Sequence, residues 1–329
     1  MSTVVKFFGF EPYPKFRLNE PRFPQDTFLG RYFHFLDIID PRTLFISNEE
    51  LNSSIKLLND YKEGKGSAKI SDKELWKAQK IKNAIVHPDT NKKIFPAFRM
   101  SGYVPFGWIT VTGMLLPNPS WSTILFWQWM NQSHNALVNY SNRNATQDQS
   151  KFIKAYCIAV SSACSTATGL TYLIKKCKNI SINKQIFLQR FVALPATSLA
   201  SSLNILSMRW SEIFSGIEIY DSEKNVIGIS KVAAKKAVFE TTLTRAFLPV
   251  PLLILPPCIM PFFERMEFVK KCWRRHLVIN AIVCTLSFAF SLPISLALFP
   301  QQSKIETIKL ETELQKLTNE PILYYNRGL

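Results

Sequence analysis

The stretch LPVPLLILPPCIMP, Leu248–Pro261, carries no charge and holds five prolines: Pro249, Pro251, Pro256, Pro257 and Pro261. Its length and greasiness suit a bilayer, but each interior proline removes a backbone donor and clashes one turn back. The prolines therefore predict a broken helix. In hydrocarbon the freed carbonyls must find partners, so broken backbone survives only where protein or a wet cavity covers it. Broken helices at mid-membrane are one way carriers build a substrate site. The stretch reads as a membrane segment with a transport-like interruption.

The flanking sequence agrees. Apolar runs lie at 100–117, 152–174, 186–206, 242–263 and 277–299, and a hydrocarbon core of about 30 Å takes about 20 helical residues to cross. The first run is the weakest, because Pro105, Gly107, Gly113 and Pro117 interrupt it. The run WSTILFWQWM, Trp121–Met130, is too short to span alone. With Trp121, Trp127 and Trp129 it predicts an interfacial or re-entrant piece. Residues 1–98 show helical spacing, with Ser47-Asn48 and Ser71-Asp72 as cap candidates, and end near HPDT, His87–Thr90. The expected fold class is all-α: a soluble helical region over 1–98, about five transmembrane helices within 99–299, and a tail over 300–329.

Charge tests the five-span reading. The chain is 47% hydrophobic with a formal charge of +16. With five spans, the N-terminal region (+5), the second loop (+5) and the fourth loop (+3) share one face, +13 in all against +1 on the other. The positive-inside rule then puts the N-terminus in the cytosol, or on the matrix side of a mitochondrial inner membrane. The basic balance is thus topology, and nucleic acid falls away as a partner.

No hydrolase, kinase or dinucleotide motif is present, so no enzyme activity is expected. The six cysteines form no C-x-x-C pair and the four histidines are scattered, so neither a metal site nor any other cofactor is read from spacing. The N-terminus has no apolar segment of signal-peptide length.

The informative polar groups lie in or beside the spans. Arg245 is either a substrate or counter-charge group or a snorkelling anchor. Asn204 reads as an interhelical hydrogen bond, and AVSSACSTATGL, Ala159–Leu170, as a close-packing face. Beyond the tryptophans, Asn131, Gln132, Asn135, Asn139 and Asn142 recur near one helical face. Amides offer donors and acceptors without net charge, suiting a zwitterionic ligand or a self-contained network.

Together, HPDT, FRMSGYVPF, FWQWMNQS, VNYSNRNA, GISKVAAKKA, LPPCIMP and LALFPQQSKIETIKLETELQ closely resemble the sideroflexin family, across nearly the whole chain and in the family's order. The resemblance implies a five-span mitochondrial inner-membrane protein that imports serine and other small neutral amino acids (alanine, glycine, cysteine), feeding one-carbon metabolism. Older descriptions of the family invoke tricarboxylates or iron, and one member is a non-transporting assembly factor. The residues carried over are His87, Pro88, Asp89, Thr90, Asn131, Gln132, Asn135, Asn139, Asn142 and Arg143, with Asn204 and Arg245 behind them. The chain departs from the family pattern at His134, Ser201 and Leu206, where relatives tend to show Phe, Asn and Pro. Among the family's substrates, citrate with about three negative charges needs two or more buried cations. Within the spans only Arg245 and the marginal Lys154 are available, with Arg143 and Arg190 at their edges, which favours a net-neutral zwitterion.

Overall fold

The computed structural model describes residues 2–65, 70–88, 90–116, 119–142, 149–177, 181–189, 191–223, 225–298, 300 and 302–327. Helices Ser2–Phe7 (α1), Phe28–Ile38 (α2), Asn48–Lys62 (α3) and Asp72–Ile85 (α4) build the N-terminal region. Both expected caps form: Ser47 accepts from the Glu50 amide, and Ser71 makes a reciprocal capping box with Glu74. Phe16, Leu58, Leu75 and Trp76 make one core here. Lys80 bridges Asp37 (2.9 Å) and Asp40 (2.6 Å) beneath it.

The membrane-type helices are Tyr103–Met114 (α5), Trp121–Ser141 (α6), Gln149–Lys176 (α7), Ile182–Gln189 (α8) and Ala193–Arg209 (α9). After the short Glu212–Ser215 (α10) come Lys231–Phe247 (α11), Pro249–Glu264 (α12), Glu267–Lys270 (α13) and Trp273–Ala297 (α14), with Thr312–Gln315 (α15) in the tail. Among the described residues, four helical segments are long and apolar enough to cross a membrane: Phe152–Lys176, Phe187–Arg209, Lys231–Glu264 and Trp273–Ala297. The helical membrane fold read from the sequence is therefore present.

The proline stretch does not break as expected. Leu248 keeps helical angles, and α12 continues through Pro256, Pro257 and Pro261. The absent N–H groups free carbonyls one turn back without ending the helix, because neighbouring helices hold it. Leu252, Leu253, Pro256, Pro257 and Met260 are buried. At the α11–α12 junction, Ser198 Oγ donates to Ala246 O (2.9 Å) and Ser295 Oγ to Leu248 O (3.4 Å).

The small-residue run packs closely, as read. Ala155, Ala159, Ala163 and Ala167 of α7 lie at four-residue spacing and are almost wholly buried, as are Ala196 and Ala200 of α9. Ser161, Ser165 and Thr168 donate back to the preceding turn at 2.7–2.8 Å.

A small antiparallel sheet joins the helices, in the order β2-β1-β4-β3: Ile217–Tyr220 (β1), Val226–Ser230 (β2), Gln302–Glu306 (β3) and Ile322–Asn326 (β4). Its buried face (Ile219, Ile305, Leu323, Tyr325) packs on Ala233 and Ala237 of α11. The tail is thus built into the fold. Glu311 reaches the start of α11, accepting from the Lys231 (2.7 Å) and Val232 (3.0 Å) amides.

The charge sorting assumed five spans, of which four are long and apolar enough among the described residues. The run at Trp121–Met130 is the first half of the 21-residue α6, which returns beside the 12-residue α5. Its polar second half is stable because α5 and α7 pack against it. The N-terminal region, the sheet and the C-terminal end of α14 consequently share one end of the bundle. There Arg31 Nε donates to Ala297 O (2.8 Å), and Asn142 Nδ2 to Phe98 O (2.9 Å). The basic turns after α7 and α12 lie at the opposite end.

Candidate functional site

The polar seam starts where α5 meets α6. Tyr103 Oη donates to Asn135 Oδ1, joining the first residue of α5 to the middle of α6. One turn further in, Thr110 Oγ1 lies 3.2 Å from Asn131 Oδ1 and donates to Gly107 O (2.9 Å). Asn131 and Gln132 are 6% and 4% exposed, yet Asn131 Nδ2 and Gln132 Nε2 find no protein acceptor. Buried donors left open in this way call for a partner that is not protein.

Arg245 approaches the same place from α11. It is half-buried, and Tyr103 is the partner with which it interacts electrostatically. No carboxylate pairs with it among the described residues. An arginine set between the sheet-facing part of α11 and the proline-rich α12 thus interacts with the tyrosine that holds Asn135, and no carboxylate among the described residues compensates its charge. Tyr103 is further fixed by His134, stacked on it at 5.6 Å, and by Phe288 at 5.3 Å. His134 Nε2 is held by Ala97 O at 3.2 Å, so this histidine orients Tyr103 and the start of α5.

Other candidates stand apart from the seam. Asn139 is exposed, and Asn142 Nδ2 is taken by Phe98 O and Val138 O. Asn204 Nδ2 reaches Ala155 O across the α7–α9 contact at 3.4 Å, the interhelical role read for it. His87 and Thr90 sit in the turn after α4, where His87 Nδ1 accepts from the Thr90 amide (3.3 Å) and His87 O from Asn91 N (3.0 Å). That turn pairs Val86 with Lys93 and leads the chain towards α5. Asp89 and Arg143 lie outside the described residues.

Three residues joined by the fold were not singled out in the sequence. Tyr103 and Thr110 sit in a run that reads as a weak span. Gln128 precedes Asn131 by three residues, on the same face, but stands among tryptophans; the helical offset was the signal for it.

The chain matches the Sideroflexins family over residues 17–329. It is 64% identical to Sideroflexin-5 of Caenorhabditis elegans, with all of both chains aligned. It is 48% identical to human Sideroflexin-5 over 96% of this chain and 94% of the relative. Human Sideroflexin-1 is 36% identical over 96% and 98%. No solved structure matches. The five-proline stretch, the α6 amide row and the tail built into the sheet are thus features of a multi-pass membrane protein that belongs to the sideroflexin family.

Proposed function

We propose that this chain is a carrier of small neutral amino acids, serine foremost, in the mitochondrial inner membrane, and that it catalyses no reaction. The observation that carries the reading is Arg245: a half-buried guanidinium with no carboxylate partner among the described residues, interacting with Tyr103, which in turn bonds the α6 amide row whose Asn131 and Gln132 have open donors. A planar fork of donors suits a carboxylate. The amide groups offer uncharged hydrogen bonds to the rest of a zwitterion, including a hydroxyl. One such cation cannot balance a tricarboxylate, since the other spanning candidate, Lys154, is exposed. Alanine, glycine and cysteine fit the same carboxylate anchor with fewer bonds.

The test is uptake of labelled serine into liposomes holding the purified protein, with citrate in parallel and Arg245→Gln at equal insertion. Saturable serine uptake that the substitution abolishes supports the carrier. Citrate uptake without serine uptake sinks the substrate assignment. A folded, inserted protein that moves neither is a scaffold.

A further inference from the structure

We propose that the small cavity at the far end of the α6 amide row binds a sodium-sized monovalent cation. The cavity, of about 20 Å³, lies where the end of α5 meets α6, α7 and the α8–α9 turn, and its lining includes Gly113, Met114, Gln128, Thr171, Gln189 and Val192. A space of this size holds one water or one bare ion.

The lining is electronegative without being charged. Gln128 is 3% exposed, and its Oε1 has no protein partner. Gln189 Oε1 is likewise buried and unpartnered. Gln128 and Gln189, on different helices, thus both line this cavity and both carry an amide oxygen without a protein partner, which is unfavourable unless something donates to it or coordinates it. Thr171, 2% exposed, adds a hydroxyl to the lining.

The third contribution is the C-terminal end of α5. Gly113 and Met114 line the cavity, and the last carbonyls of a helix carry its negative end. At the start of α9 three backbone amides are already engaged. The amides of Phe191, Val192 and Leu194 are taken by Leu188 O (3.0 Å), Gln189 O (3.2 Å) and Phe191 O (3.2 Å). Helix ends and unwound carbonyls facing a cavity are a means of holding a coupling ion in membrane proteins. Among the described residues no carboxylate lines the space, so the charge balance suits one positive charge and not two.

The row has a polarity. Open donors, Asn131 Nδ2 and Gln132 Nε2, lie nearer the Tyr103–Asn135 end of the row, and the open acceptor of Gln128 lies at the other end. Gln128 and Asn135 are seven residues apart, about 10 Å along the helix. An amino acid of serine's size cannot touch both, so the cavity is a separate station from the carboxylate anchor. Its role as a coupling site rests on the carrier reading; the site itself does not.

The test is saturable binding of radioactive sodium to the full-length protein in detergent, competed by lithium, potassium or choline. The variants are Gln128→Leu and Gln189→Leu, with exposed Asn139→Leu as the control. Helical content by circular dichroism guards against misfolding. The expected result is sodium binding weakened at least tenfold in both cavity variants and unchanged in the control. Sodium binding equal in all four proteins, or absent from folded wild type (a cavity holding water only), overturns the proposal. Serine uptake in sodium against choline is read separately. A protein that binds sodium through Gln128 but transports nothing keeps the site and loses the carrier.

Discussion

Tyr103 gives its hydroxyl proton to Asn135, and the same tyrosine is the group that faces Arg245. The bond fixes an α6 amide relative to a charge on α11, though neither helix contributes the tyrosine. Tyr103→Phe keeps the ring against His134 and Phe288 but removes the donor. A lost hydrogen bond of about 1 kcal/mol predicts a half-saturation for serine raised roughly fivefold, with insertion unchanged. Uptake at graded serine concentrations measures it. An unchanged half-saturation would place the substrate elsewhere.

Arg245 separates charge from geometry. Arg245→Gln removes the charge, and truncating one member of a desolvated charged contact costs about 2–5 kcal/mol. Serine uptake is expected to fall beyond detection. Arg245→Lys keeps the charge without the planar fork and is expected to retain a reduced rate. If lysine fails as completely as glutamine while both proteins fold, paired hydrogen bonding is the requirement.

The α5–α6 contact has no room to spare at Gly113. A Cβ there would lie 2.0 Å from the Trp127 ring, which α6 holds in place. Overpacking of this kind costs about 1–3 kcal/mol. Gly113→Ala is therefore expected to lower the unfolding temperature of the detergent-purified protein. Alanine at Gly169, where nothing lies within 4 Å of the added atom, is expected to leave it unchanged.

The sequence made the long helices legible because lipid demands continuous apolar runs, and the caps at Ser47 and Ser71 because the motif is local. It hid α6. Half of that helix is apolar and half is amide, and only the packing of α5 and α7 makes the second half a membrane segment. The prolines misled for the same reason. Pro256 and Pro257 weaken an isolated helix, yet here the helix continues through them with both prolines buried. Arg245 was visible as a charge in a greasy run. Its partner Tyr103 lies 142 positions earlier and is brought to it by tertiary structure alone.

The tail's attachment depends on pH through Glu311. Burial pushes this carboxyl up, but hydrogen bonds from Ser230 and from the Val232 and Lys231 amides outweigh it and hold the group below the ordinary glutamate range. The contribution to stability is complete above the unfolded pKa of about 4.3 and is lost as pH falls through the lower folded value. Limited proteolysis of the tail is expected to quicken below about pH 4. Glu311→Gln is expected to show quicker cleavage already at neutral pH. If the tail of that variant is cut no faster than wild type at pH 7, Glu311 does not anchor it.

The chain's two ends should be found on one side of the membrane. β4 of the tail pairs with β1, Arg209 Nη1 donates to Arg327 O, and Arg31 Nε donates to Ala297 O. These contacts gather the N-terminal region, the end of α9 and the tail at the end of the bundle where α14 finishes. At the opposite end, Lys175 and Lys176 finish α7 and Lys184 follows it, and Arg265, Lys270, Lys271, Arg274 and Arg275 follow α12. Short basic loops close to spans decide orientation. The basic turns are therefore expected in the matrix, with both termini facing away from it. Tags placed at the two ends and exposed to protease in mitochondria with ruptured outer membranes should be cleaved together. Cleavage of one tag with protection of the other would mean that the α5–α6 hairpin does not bring the chain back, and the seam between Tyr103 and Asn135 would fail with it.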